Sequence, residues 1–231
     1  MLAIFLTQII HFYKCIIKMS KYIEPKDRFP GTMIIISSPS GAGKTTITKK
    51  LLELYDNIKL SVSVTTRPKR AGETEGKDYF FVSKAEYNRL VRNNELLENA
   101  EVFGNYYGTP KKFVEDHIKQ GTNVIFDIDW QGAREIAAHK EFHVVSIFVL
   151  PPSIKALRER LEARSLDSKE IINERMTKAK SEISHYNEYK YVILNDDLNK
   201  AVSNIKYIID YYSLRNIRPR NYTDFIEHNL V

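Results

Sequence analysis

Among 231 residues there is a single cysteine, Cys15, so no intramolecular disulfide can form. No Cys/His spacing suggests a zinc site, and a reducing, cytoplasmic compartment is the expectation. The six histidines read as solvated or structural. Internal repeats and disorder are not indicated. Long apolar runs are missing too. The stretch Leu2-Ala-Ile-Phe-Leu6 with Ile9 and Ile10 is interrupted by Gln8, His11 and Lys14, too short and broken for a span of about 20 residues. No positive segment precedes it and no small-residue cleavage site ends it, so it does not read as a secretory signal. Met19-Ser-Lys offers an alternative start, and residues 1–31 are expected to be a dispensable extension, with a surface anchor as the other reading.

Basic residues are not gathered into a stripe. The formal net charge is +6 and the pI about 9.1, but the arginines fall in short sets, Arg67 with Arg70 and Arg160 with Arg164, without interleaved aromatics. Small polyphosphates account for them better than nucleic acid, and no stable membrane association is expected. A chain that is 43% hydrophobic and 28% charged at this length suits one α/β domain with a modest insertion.

Against these absences stands one dense motif, Ser38-Pro-Ser-Gly-Ala-Gly-Lys-Thr45, directly after the β-branched run from Met33 to Ile36 and ahead of a helical stretch. Strand, glycine turn and helix start make a phosphate cradle. Backbone N–H groups around Gly41, Ala42 and Gly43 point into one concavity, and the helix N-terminus adds its positive end. Lys44 supplies an ammonium and Thr45 a hydroxyl for Mg²⁺. Ser38 occupies the place of the first glycine in the general pattern. A plain chain-reversing turn is the alternative, but a lysine at a helix start opposes the helix dipole unless an anion neutralises it.

Periodicity predicts a short strand over residues 59–63, another over 78–82, and a helix to Arg92 opened by a capping box of Ser83 with Glu86. Residues 96–107 are aromatic and strand-like, and Thr109-Pro110 is expected to start a helix that Gly121 ends. Apolar strands follow at 123–127, 143–150 and 191–194, with helices near 130–139, 153–163, 168–187 and 198–213. Strands this apolar are covered on both faces, which predicts a doubly wound parallel sheet with ligands at its carboxyl ends.

Further segments fall in a telling order: Ser61-Val-Ser-Val-Thr-Thr-Arg67, Lys77-Asp-Tyr-Phe-Phe81, Leu97-Glu98, Phe103-Gly-Asn-Tyr-Tyr-Gly-Thr109, Asp127-Ile-Asp-Trp-Gln-Gly132, Leu150-Pro-Pro-Ser153 and Asn195-Asp-Asp197. Together with the phosphate loop, Arg160, Arg164, Asp167, Ser168 and Arg175, this set resembles the guanylate kinase family over residues 32–212. The resemblance implies an α/β, doubly wound parallel-sheet P-loop NTP kinase core at 32–59, 113–152 and 187–212. A small α+β NMP-binding insert is implied at 60–112, a helical lid at 153–186 and a tail at 213–231. It implies ATP-dependent phosphorylation of GMP to GDP, and of dGMP to dGDP, with Mg²⁺ accompanying ATP. It leaves the oligomeric state open.

Residue by residue, the resemblance implies that ATP is held by Ser38, Pro39, Ser40, Gly41, Ala42, Gly43, Lys44, Thr45 and Thr46. The acceptor phosphate falls to Arg67, Arg70, Tyr79 and Tyr107. Guanidiniums grip a phosphate by paired hydrogen bonds, and tyrosines add donors without charge. The guanine falls to Ser63, Glu98, Thr109 and Asp127. A carboxylate suits guanine because N1–H and the exocyclic amine are adjacent donors, where adenine presents an acceptor. Glu98 as an exposed glutamate and Thr109 as a helix N-cap are the bland alternatives. Asp127 and Asp129 end an apolar strand, as an acid orienting Mg²⁺ through water or contacting substrate would. Which does which stays open, and Asp129 is also a candidate cap. Lys44, Arg67, Arg160, Arg164 and Arg175 are the expected catalytic charges, although Arg160 and Arg175 also fit a solvated helix face. Ala163 and Ser165 stand where the family often has glycines, which bears on lid flexibility. A non-catalytic interaction module would be expected to lack Lys44 and Thr45, and the set Ser63, Glu98 and Thr109 argues against kinases acting on ribose bisphosphates.

Overall fold

The computed structural model describes residues 30–102, 104–163 and 169–215. The expected extension therefore falls almost wholly outside the described residues, as do Phe103, Arg164, Asp167, Ser168 and the chain beyond Arg215.

Five apolar strands form one parallel sheet: β1 (Met33–Ser37), β2 (Ile58–Leu60), β7 (Asn123–Asp127), β8 (Val144–Leu150) and β9 (Tyr191–Leu194), in the order β2-β7-β1-β8-β9. Alternation along β1 explains the layers above and below it. Ile34 and Ile36 join Ile125, Val145 and Ile147 on one face, where Ile47 and Leu51 of α1 (Lys44–Leu54) and Ile205 and Ile209 of α7 (Leu198–Arg215) cover them. Met33 and Ile35 join Val124, Phe126 and Phe148 on the other, under Val114 and Ile118 of α3 (Lys111–Lys119) and Ile136 of α4 (Trp130–Ala138). The sheet is covered by helices on both faces, as its unbroken apolar strands require. The register sets Ile36 against Asp127, so the carboxyl ends of β1 and β7 lie level.

A second sheet of order β4-β3-β6-β5 comprises β3 (Val64–Thr65), β4 (Phe80–Phe81), β5 (Leu96–Val102) and β6 (Asn105–Pro110). Its small core of Val64, Leu96 and Tyr87 is closed by α2 (Lys84–Arg92). Two further helices, α5 (Ile154–Ala163) and α6 (Lys169–Ile183), bury Leu157, Leu161, Ile172 and Met176 against Ala42, which packs them onto the turn after β1. No helix among the described residues is long and apolar enough to cross a membrane.

Several local expectations need correction. The strand expected at 59–63 stops at Leu60, because after Ser61 the chain leaves one sheet for the other. The strand expected at 78–82 shrinks to Phe80–Phe81, since the Asp78 carboxylate closes a turn by accepting from Thr74 N–H at 2.7 Å. Residues 96–107 form no single strand; they fold back at Gly104, whose φ of 70° permits the reversal, into the antiparallel pair β5 and β6. Only half of the capping box exists: Ser83 accepts from Glu86 N–H, but the Glu86 carboxylate pairs with Arg89. Thr109 and Pro110 stay in β6, and helix α3 begins at Lys111.

Phe126 is fully buried in the layer between β7 and its covering helices. Phe126→Ala is expected to cost about 3–5 kcal/mol in urea unfolding, since the cavity adds to the lost transfer energy.

Candidate active site

The turn after β1 takes its shape from two glycines in the left-handed region, Gly41 at φ 92° and Gly43 at φ 100°. Gly43 also caps α1 without any side-chain bond, so the first N–H groups of the helix stay directed at the concavity. Space is as limiting as dihedral angle: a Cβ on Gly43 would fall 2.5 Å from Asn195 Nδ2. That amide donates to the Ala42 carbonyl at 2.7 Å, and Arg160 reaches the Ala42 and Asn195 carbonyls at 3.4 and 3.2 Å. The loop is thus braced from behind by Asn195, the residue that follows β9, and by Arg160 of α5. Ala42 itself is buried under α5 and α6, Thr45 and Thr46 are exposed, and Ser38, Pro39 and Ser40 line the cavity in front.

Lys44 lies across the mouth of the loop. Its Nζ meets Asp127 Oδ1 at 2.5 Å and donates to the Ile128 carbonyl at 3.2 Å. Burial works against its ammonium, but Asp127 outweighs this and holds the pKa above that of an ordinary lysine. Asp129 turns the other way, accepting from the N–H groups of Gln131 and Gly132 as N-cap of α4. The two aspartates therefore have separate structural duties, which sequence reasoning left undivided.

Across the cavity, Arg67 stacks over Tyr79 and Phe81 at 5.3 and 5.8 Å, and Tyr79 meets Tyr107 edge-on at 5.9 Å. Arg67 forms a 2.6 Å bond with Glu73, whose other oxygen accepts from Arg70 N–H at 2.8 Å. Glu73 was not singled out from the sequence, although an acid six residues after Arg67 and three after Arg70 in a basic loop was a readable signal.

Glu98 is only 3% exposed. A register shift between Leu96 and Asn99 marks a bulge in β5, and Leu96, Leu97 and Glu98 are consecutively buried. A regular strand would send neighbouring side chains to opposite faces; here Leu97 enters the main core and Glu98 enters the cavity wall. Thr109 does not cap α3; its hydroxyl donates to Glu98 Oε1 at 2.7 Å. Burial pushes the Glu98 carboxyl up to about 7, against the pull of Thr109 and with help from Asp129 and Glu135. Ser63 is buried beside this wall and also lines the cavity.

The α6 helix closes the third side. Arg175 and Glu182, one heptad apart on one face, both line the cavity. Glu182 Oε2 accepts from Ser40 N–H at 3.2 Å. Burial raises its pKa, opposed by that hydrogen bond and by Lys44. Glu182 also escaped sequence reasoning, and its spacing from Arg175 was the available signal.

One cavity of about 1190 Å³ joins Lys44, Asp127 and Asp129 to Arg67, Arg70, Tyr79, Tyr107 and Glu98. That exceeds the roughly 300–1,000 Å³ of a typical single-ligand pocket and suits two ligands end to end. Cationic groups face it from the loop, from β3 onward and from α6, an arrangement that draws polyanions together and neutralises charge where they meet. For a divalent metal the loop offers the exposed hydroxyl of Thr45, and there is no group of three or more His, Cys, Asp or Glu side chains that could hold one among the described residues. Such a donor set fits Mg²⁺ carried in with phosphates and waters rather than caged by protein.

A family model described as guanylate kinase matches residues 30–212. The chain is 50% identical over 196 residues to a guanylate kinase of Novosphingobium aromaticivorans, covering 85% of this chain and 89% of that protein. It is likewise 50% identical over 179 residues to a guanylate kinase of Rickettsia bellii, covering 78% and 93%. Its fold matches a crystal structure of guanylate kinase from Anaplasma phagocytophilum with TM-score 0.69 and 40% identity, over 87% of this chain and 96% of that one.

Gly43 and Gly72 separate the two reasons for glycine here, since both have positive φ but nothing lies within 4 Å of a Cβ at Gly72. Gly72→Ala should cost only the dihedral penalty of about 1–2 kcal/mol, and Gly43→Ala clearly more, because it also displaces Asn195. Urea unfolding of the two variants makes the comparison.

Proposed function

Since the chain belongs to the guanylate kinase family, we propose that it transfers the γ-phosphoryl group of ATP to the phosphate of GMP, releasing ADP and GDP. The observation that carries this reading is the one cavity in which a glycine-turned loop at a helix start faces a buried carboxylate across a patch of arginine and tyrosine. In the proposed reaction the loop N–H groups and Lys44 hold the donor's outer phosphates. Arg67, Arg70, Tyr79 and Tyr107 hold the acceptor phosphate, and Glu98 with Thr109 and Ser63 reads the guanine edge. The acceptor oxygen is already ionised, so no strong base is needed. As the new P–O bond forms, the bond to the ADP oxygen breaks and ADP leaves with the electron pair. Rate enhancement then comes from alignment and charge neutralisation.

Arg175 supplies positive charge from α6; Arg164, outside the described residues, is a further candidate for that role. Arg160 acts by bracing Ala42 and Asn195. Mg²⁺, held by Thr45 and by Asp127 through water, would supply charge neutralisation on the donor phosphates. Residues 60–112 serve as the GMP-binding unit and 153–186 as the lid in this reading. dGMP is proposed as a second acceptor, because the groups named address base and phosphate rather than sugar. A cytoplasmic setting belongs to the same proposal.

An ADP-release assay with ATP, Mg²⁺ and each nucleoside monophosphate in turn tests the reading. Turnover with GMP and little with AMP, CMP or UMP is the expected result; silence on every acceptor would favour a non-catalytic module. Lys44→Ala should abolish turnover while the protein stays folded and retains most of its GMP affinity, measured by calorimetric titration.

The Glu98 carboxyl, raised to about 7, gives a pH signature. Its ionised form accepts from guanine's two donors, so recognition is present above that pH and is lost as pH falls through it. The ratio of GMP to AMP efficiency cancels titration of the substrate phosphate, and should rise with pH between about 6 and 8. In Glu98→Gln the slope should vanish and GMP efficiency fall roughly 30- to 1000-fold, with the KM for ATP little changed.

A further inference from the structure

Glycine is among the poorest helix formers, yet Gly132 occupies the third position of α4. Its backbone does not require it, since it is absent from the residues with positive φ. What surrounds it explains the choice. A Cβ at Gly132 would fall 2.6 Å from Glu98 Oε2, 3.1 Å from Glu98 Cδ and 3.5 Å from Ile128 Cδ1. The space a methyl group would fill is the space the Glu98 carboxylate uses.

A carboxylate at the end of a free side chain would swing aside, but this one is buried, bonded at one oxygen, and carried by a strand that is tied to α4. Thr109 fixes Oε1. Three hydrogen bonds tie α4 and its cap to the backbone of β5 on both sides of Glu98: His139 Nε2 to the Leu97 carbonyl at 3.1 Å, Asn99 N–H to Glu135 at 2.8 Å, and Gln131 Nε2 to the Glu101 carbonyl at 3.3 Å. Neither strand nor helix can retreat without breaking these bonds. We infer that Gly132 is a specificity-determining position: by lacking a side chain it lets the main-sheet helix α4 back the Glu98 carboxylate and aim it at the base edge. Gly132 touches no substrate and acts through Glu98, so it is a positioning residue. The inference rests on Glu98 being the base-reading group.

Three variants, Gly132→Ala, Glu98→Ala and the double variant, separate the two claims when kcat and KM for GMP and AMP, KM for ATP and Tm are measured on each. Gly132→Ala should lower GMP efficiency by about tenfold or more, chiefly through KM, with the KM for ATP and AMP efficiency within about twofold. In the Glu98→Ala background the same change should alter GMP efficiency by less than about twofold, because the group it displaces is gone. Should Gly132→Ala prove too unstable to assay, the double variant, free of the clash, must recover its Tm. An unchanged GMP KM in Gly132→Ala, a loss that persists in the Glu98→Ala background, or a double variant as unstable as the single one would each overturn the inference. If Glu98→Ala is impaired but Gly132→Ala is silent, only this inference falls; if Glu98→Ala itself uses GMP normally, the base-reading role falls with it.

Discussion

Pairing of β1 with β7 in the register Ile36 to Asp127 brings two strand ends level, and the chemistry of the cavity is organised from that line. Beyond β1 the chain must turn sharply into α1, which the positive φ of Gly41 and Gly43 allows. Lys44, first residue of the helix, then faces Asp127 at the end of the neighbouring strand. A partly buried ammonium, 19% exposed, stays charged because that carboxylate, 26% exposed, stands beside it. A slip of one residue would turn the strand's side chains to the opposite faces and separate the pair.

The second sheet supplies the opposite wall by a different device. A bulge in β5 sends Leu97 into the main core and Glu98 toward the cavity, so one irregularity both anchors the small sheet and places its buried acid. The α6 helix completes the enclosure with a contact between Glu182 and the Ser40 N–H. Arg67 is paired with Glu73 and Lys44 with Asp127, so these two cations of the cavity are oriented before any ligand arrives. Oriented charges of this kind lower the reorganisation needed when a polyanion binds.

The phosphate loop was legible in the sequence because its glycines answer a backbone demand that few other residues meet. The parallel sheet was legible because its strands are apolar on both faces. Thr109 illustrates the limit. A hydroxyl before a proline is a sound helix cap by local rules, but a buried carboxylate eleven residues away offers a stronger partner. The hairpin at Gly104 was missed although Gly104-Asn105 is a turn signal, because the aromatic residues Phe103, Tyr106 and Tyr107 beside it read as one continuous strand. Ser40 and Glu182, 142 residues apart, illustrate the general difficulty, since only the folded chain decides that a helix carboxylate meets a loop amide. Gly132 could be read as part of a motif, but its reason lies in the position of Glu98.

In the proposed reaction one cavity holds a nucleoside triphosphate and a nucleoside monophosphate end to end. A bisubstrate compound, adenosine and guanosine joined through their 5′ positions by a chain of phosphates, tests it most directly. Competitive inhibition against both ATP and GMP is expected, with affinity well above that of either substrate alone. Competition against only one of them, with the other still binding normally to the inhibited protein, would contradict it.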